Sequence, residues 1–141
     1  MDVDNFIVLV FNCVGIPNII RFQAALGEGG ASVDLERRPD NCGAHQVSGY
    51  GNIPVMRVDD LALDECDLLM LDVEGYEMKA LLGARRTIAH HRPVIVIEDK
   101  GLSERYGVKL GEAPDWLVTA YGYRIVAKPH RDVVLVPCER R

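Results

Sequence analysis

The chain has 141 residues, 48% of them hydrophobic and 26% charged, which excludes a disordered tract and matches one globular domain. A formal charge of −5 leaves no basic footprint for nucleic acid, and the pairs Arg37-Arg38, Arg85-Arg86 and Arg140-Arg141 are too scattered to track phosphates. No apolar run reaches the roughly 20 residues of a membrane span, and the four cysteines (Cys13, Cys42, Cys66, Cys138) lack CxxC or zinc spacing, so a cytoplasmic protein with reduced thiols is expected.

Residues 4–14 mix β-branched and helix-forming types. Phe6, Leu9, Val10 and Cys13 nevertheless fall at helical spacing behind Asp4 or Asn5 as a cap, which predicts a helix stopped by Gly15. NIIRFQAAL (18–26) reads as a strand ending at Gly27. After a turn at 28–30, the alternation of ASVDLE (31–36) predicts a half-exposed strand. Residues 37–52 carry no apolar period and are expected to form a long loop, a feature that is usually functional or disordered in compact domains. IPVMRVDDL (53–61) returns to an extended pattern.

The next stretch is the clearest. Asp67–Leu71 is an almost continuous apolar run, as expected of a strand covered on both faces, and it runs into Asp72-Val73-Glu74-Gly75. One helix is expected to follow, with Met78, Leu81, Leu82 and Ile88 on its apolar stripe, Arg85 and Arg86 toward its C-terminal part and Asp72 as its N-cap. His90–Pro93 breaks it, and Val94–Ile97 is a second apolar strand ending at Glu98-Asp99. Strand, helix and strand make a βαβ unit with parallel strands. A helix around Trp116, Leu117 and Ala120, with Pro114 in its first turn and Gly122 at its end, then precedes an antiparallel hairpin of Tyr123–Ala127 and Asp132–Pro137. The class is an open α/β sheet.

In open parallel sheets, ligands bind outside the carboxyl ends of the strands. Those ends are Ala24–Gly27, Asp72–Gly75 and Glu98–Asp99, so the acidic residues among them are candidate site residues. His45, on the long loop, is a candidate base, although a lone histidine is more often a surface residue. His90 and His91 sit at a helix end, where imidazolium suits the dipole, and are assigned no chemistry.

CDLLMLDVEGYEMKALLGARRTI followed by RPVIVIED resembles the FkbM-type methyltransferases, a branch of the S-adenosylmethionine-dependent class with a Rossmann-like sheet. NIIRFQAALGE resembles that family's third strand, IPVMRVDDL the segment leading to its Asp-x-Glu-Gly strand, and Tyr121-Gly122-Tyr123 the Gly-Tyr that opens its sixth strand. The resemblance therefore covers nearly the whole chain. It implies an O-methyltransferase with S-adenosylmethionine as cofactor and a small-molecule acceptor, a hydroxyl of a sugar, lipid or natural product. By that resemblance Ala24, Ala25 and Leu26 lie against the adenine, and Asp72 lies beside the methyl-bearing end. Asp72, Glu74 and His45 are the catalytic candidates, with Asn41, Gly43 and Glu98 facing the acceptor. Methyl transfer is an in-line displacement governed by alignment, and a hydroxyl acceptor also needs its proton removed.

The family's Gly-rich strand–loop–helix and its second, acidic-ended strand have no counterpart here, because Gly27-Glu28-Gly29-Gly30 leads into a strand rather than a helix. In the family's strand order, 3-2-1-4-5-7-6, those strands are central. Residues 1–141 are therefore expected to form a single truncated domain: a partial Rossmann-like, mostly parallel sheet with a C-terminal antiparallel hairpin and an unpaired apolar edge on the fourth strand. The chain is then part of a longer protein, or a second chain or second copy completes the sheet, or the third strand has moved beside the fourth; the first is the leading expectation. Two other function classes compete. One is a non-catalytic interaction or dimerisation module, and the other is a divalent-metal enzyme using Asp72, Glu74, Glu98 and Asp99 as oxygen ligands.

Overall fold

The computed structural model describes residues 3–36 and 45–139. Helix α1 (Val3–Asn12) turns the expected face inward: Phe6, Leu9 and Val10 are half-buried and Cys13 is buried, while Val8 and Phe11 face solvent. Asp4 and Asn5 lie inside the helix rather than capping it.

Of the expected strand 18–26, only Ala25–Leu26 (β1) is paired. It runs parallel to Val55–Met56, and the preceding residues have no ladder neighbour among the described residues to satisfy their backbone groups. Ile20, at 82% exposure, stays in water. β2 (Ser32–Glu36) pairs antiparallel with β3 (Gln46–Met56). Residues 46–52, expected as loop, are thus the first half of an 11-residue strand. Backbone pairing with β2 defines it rather than alternating burial. At the irregularity opposite Val33, Gly51 packs on Asp34 so closely that a Cβ would lie 2.7 Å from the Asp34 Cα.

A second sheet holds β4 (Leu68–Leu71), β5 (Val94–Glu98), β6 (Tyr123–Ala127) and β7 (Asp132–Pro137) in the order β4-β5-β7-β6. The βαβ pairing of β4 with β5 is parallel, whereas β5–β7 and β6–β7 are antiparallel. The protein is therefore α/β with two mixed sheets, in place of one mostly parallel sheet.

The single helix expected after β4 is two, α2 (Glu77–Leu82) and α3 (Arg85–His91), so Arg85 and Arg86 open a helix instead of closing one. Two contacts cause the break. Gly83 packs backbone-to-backbone on Gly27, where a Cβ would sit 1.9 Å from the Gly27 carbonyl oxygen. Asp59, in the 3-10 turn Val58–Leu61, donates its N–H to the Gly83 carbonyl (3.0 Å). Its carboxylate accepts the N–H groups of Arg86 (3.0 Å) and Thr87 (2.8 Å) and the Thr87 hydroxyl (2.9 Å), capping α3 from a distant segment. Burial pushes this carboxyl up, but the hydrogen bonds together with Arg86 outweigh it and hold the group low. Asp59→Ala is expected to cost about 2 kcal/mol, read as a shifted urea midpoint at unchanged slope. Because the folded value is depressed, that stabilisation is present above the unfolded value near ~4 and is lost as pH falls through the folded one.

α2, α3 and α4 (Glu112–Tyr121) cover one face of the second sheet, packing Leu81, Ala84, Ile88 and Leu117 over Leu71, Ile95, Ile97 and Leu135. The buried Tyr123 hydroxyl donates to the Pro93 carbonyl at 2.9 Å. The other face is more open among the described residues. Leu68 and Met70 are 56% and 63% exposed, and Val94, Val96, Val134 and Val136 are only half-buried. This corrects the expectation of a β4 covered on both faces. Among the described residues β4 pairs with β5 alone, which leaves its other edge free. No helix among the described residues is long and apolar enough to cross a membrane.

Candidate functional site

β1 and β4 belong to different sheets, yet their C-terminal ends open onto one cleft of about 730 Å³. Ala24, Ala25 and Leu26 line one side with Val47 and Met56; Asp72, Val73, Glu74 and Tyr76 line the other. Helix α1 adds Asn5, Val8, Leu9 and Asn12, and His45 and Arg57 add polarity. Ala24, Ala25, Leu26, His45, Asp72 and Glu74, singled out in the sequence from separate segments, thus meet at one place. Glu98 does not line the cleft, but one carboxylate oxygen from each of Asp72, Glu74 and Glu98 lies within 4.8 Å of the others. Asn41 and Gly43 lie outside the described residues.

The turn after β4 is held from below. Asp72 is not the cap of α2; Tyr76 occupies that position with no side-chain cap bond. Glu77 folds back instead, and its Oε1 accepts the N–H groups of Val73 (3.2 Å) and Gly75 (3.1 Å). Between them Glu74 takes a left-handed backbone (φ 53°), unusual for a residue with a side chain. Gly75, at φ 98°, passes the Leu102 carbonyl where a Cβ would lie 2.6 Å away, so only glycine serves there. Glu77 is 4% exposed. Burial lifts its carboxyl, and Glu98 adds to that lift against the opposing N–H bonds.

Lys100, just beyond β5, reaches back to both acids, with Nζ 3.0 Å from Glu74 Oε2 and 2.5 Å from Glu98 Oε2. Burial opposes its charge, but the two carboxylates prevail and raise its pKa. Asp99 turns elsewhere, accepting the Gly111 N–H at 2.9 Å, so it does not join the other three acids. Tyr106 ties the floor together: its hydroxyl donates to the Val47 carbonyl (2.7 Å) and its ring meets Tyr76 edge-on at 5.0 Å.

Sequence reasoning missed Lys100, Glu77 and Tyr76. Glu77 stands in the Asp-Val-Glu-Gly-x-Glu pattern, but its place in a helix's first turn reads as surface charge. For Lys100 the one available signal was a cation beside an acid-tipped strand end. The site thus offers an apolar enclosure, an exposed carboxylate (Asp72) and a fixed, cation-bridged acid pair, a set able to take up a proton beside a bound organic molecule.

A family model described as the methyltransferase FkbM domain matches residues 17–125 of the 141. The chain belongs to the FkbM methyltransferase family. Among solved structures, methyltransferase FkbM from Methylobacillus flagellatus KT is similar in fold, with a TM-score of 0.53 at 21% identity. That similarity covers 94% of this chain and 32% of the other, so the chain spans about a third of its FkbM relative. No curated protein matches the sequence.

Proposed function

We propose that this chain forms the acceptor-side half of the active site of an S-adenosylmethionine-dependent O-methyltransferase, acting on a hydroxyl of a sugar, lipid or natural product. The observation that supports this reading is the convergence of Ala24–Leu26 and Asp72–Glu74 on one apolar cleft at the strand ends. The small and apolar side chains of the β1 wall suit a purine. The Asp72 carboxylate suits the positive charge of a sulfonium. The fit is partial: no glycine is among the described lining residues, and Arg57 is the one cationic residue among them to meet the cofactor's carboxylate.

When bound, S-adenosylmethionine supplies an electrophilic methyl group. The chain's residues do the rest. The apolar walls hold the ligand, Asp72 takes the proton of the acceptor hydroxyl, and His45 is the second group in reach of the cleft for that task. The β4 edge that is free among the described residues, with Leu68 and Met70 exposed beside it, is where a partner polypeptide would add a strand and complete the cofactor site. The free thiols of Cys13 and Cys66 suit a reducing, cytoplasmic setting.

Calorimetric titration with S-adenosylmethionine and S-adenosylhomocysteine tests the reading. A weak saturable signal is expected, in the range of roughly 0.1–1 mM, and it should vanish in Ala24→Trp, which fills the cleft. Absence of heat at millimolar ligand would overturn cofactor binding by this chain.

A further inference from the structure

We infer that Lys100 is a positioning residue whose ammonium stands in the place of a divalent ion, locking Glu74 and Glu98 as a fixed frame and leaving Asp72 as the carboxylate that meets the acceptor. The inference rests on the reading of the cleft given above, and its test uses no cofactor, so the two fail separately.

Glu74 and Glu98 come from different strand ends, after β4 and at the end of β5, and both are shielded from water, with side chains 13% and 15% exposed. Their oxygens share a 4.8 Å neighbourhood with Asp72. Two carboxylates held this close and shielded from water repel one another unless a cation lies between them. A divalent ion would sit among them at roughly 2.0–2.6 Å from each oxygen. On the side of the two glutamates that space is taken: the Lys100 Nζ touches both of them, though it makes no ion pair with Asp72, and is itself 18% exposed. A metal ion and an ammonium cannot occupy one such space, since each repels the other at a distance where nothing screens them.

The turn before α2 is built toward this contact. Glu77 accepts the N–H groups on either side of Glu74, and Gly75 is pressed on Leu102, so the left-handed backbone that sends Glu74 toward Lys100 is held from two directions. Strained residues persist only when their surroundings over-determine them. Asp72 has no ion-pair partner among the described residues. The three acids therefore divide into a pair bridged by Lys100 and one carboxylate left to meet a ligand. An ammonium suits the bridge because it is compact, with three donors to share between two acids.

Thermal unfolding of the full chain with and without Mn²⁺ tests this. Wild-type protein is expected to show no saturable Mn²⁺ shift. Lys100→Met should gain one of roughly 5–10 °C at saturation, and Glu74→Gln in the Lys100→Met background should abolish it. Saturable Mn²⁺ binding by the wild type that is lost in Glu74→Gln would overturn the inference, as would a folded Lys100→Met that gains nothing. Should Lys100→Met not fold, reductive methylation of the wild type followed by peptide mass spectrometry decides: Lys100 is expected to react last among Lys79, Lys100, Lys109 and Lys128 and to lose that protection in Glu98→Gln. Equal reactivity of the four lysines would overturn it.

Discussion

Gly83→Ala is expected to destabilise the protein by upward of about 3 kcal/mol, lowering the unfolding midpoint by roughly 10 °C. The added methyl would sit 1.9 Å from the Gly27 carbonyl oxygen and 2.8 Å from its carbon. Both are backbone atoms, so no rotamer change relieves the clash. Relief requires the α2–α3 junction to withdraw from the end of β1, which also lengthens the hydrogen bond from the Asp59 N–H to the Gly83 carbonyl. Because Leu26 precedes Gly27 and lines the cleft, ligand affinity should fall with stability. Urea titration of the two proteins checks the first effect, and a variant within 1 kcal/mol of wild type, by a rough criterion, would show that the contact yields easily.

Glu77 carries the second large effect. Truncation in Glu77→Ala leaves the Val73 and Gly75 N–H groups without their acceptor in a buried turn, a loss of about 2–4 kcal/mol. Its pH dependence has a definite sign. Burial, reinforced by Glu98, raises the folded value above the unfolded one near ~4.3, so the fold binds the proton more tightly than the unfolded chain does. That contribution is fully present below the unfolded value and is lost as pH rises through the folded one. Glu77→Gln, which does not titrate, should therefore gain on the wild type as pH rises from the unfolded value through the folded one. Asp99 is raised in the same direction, chiefly by burial, but it is present in both proteins and cancels in the difference. A stability difference that is flat with pH, or that slopes the other way, would sink this account.

The βαβ unit from Asp67 to Glu98 was legible because its signals are local: two apolar runs, a helical stripe and the residues that end them. The cleft's walls were legible for a related reason, since the end of each strand can be found without knowing which strand lies beside it. What escaped depends on distant partners. Residues 18–24 look like a strand but have no ladder neighbour among the described residues, while residues 46–52 look like a loop and become a strand because β2 lies alongside. The stripe from Met78 to Ile88 runs unbroken in sequence. Its interruption comes from Gly27 and Asp59, neither of which the helix pattern contains. Lys100 reads as an ordinary solvated lysine until the two strand ends are set side by side. Two parallel strands at a sheet's core were expected to be covered on both faces, and the open side of β4 shows the limit of inferring cover from apolar composition alone.

That open side has a meaning for the life of the protein in a cell. Surfaces bearing side chains such as Leu68 and Met70 beside a free strand edge are what chaperones hold and proteases sample. A copy whose oily side is covered escapes that surveillance, and an uncovered copy does not. The chain should therefore be degraded more slowly whenever that side is covered than when it is open.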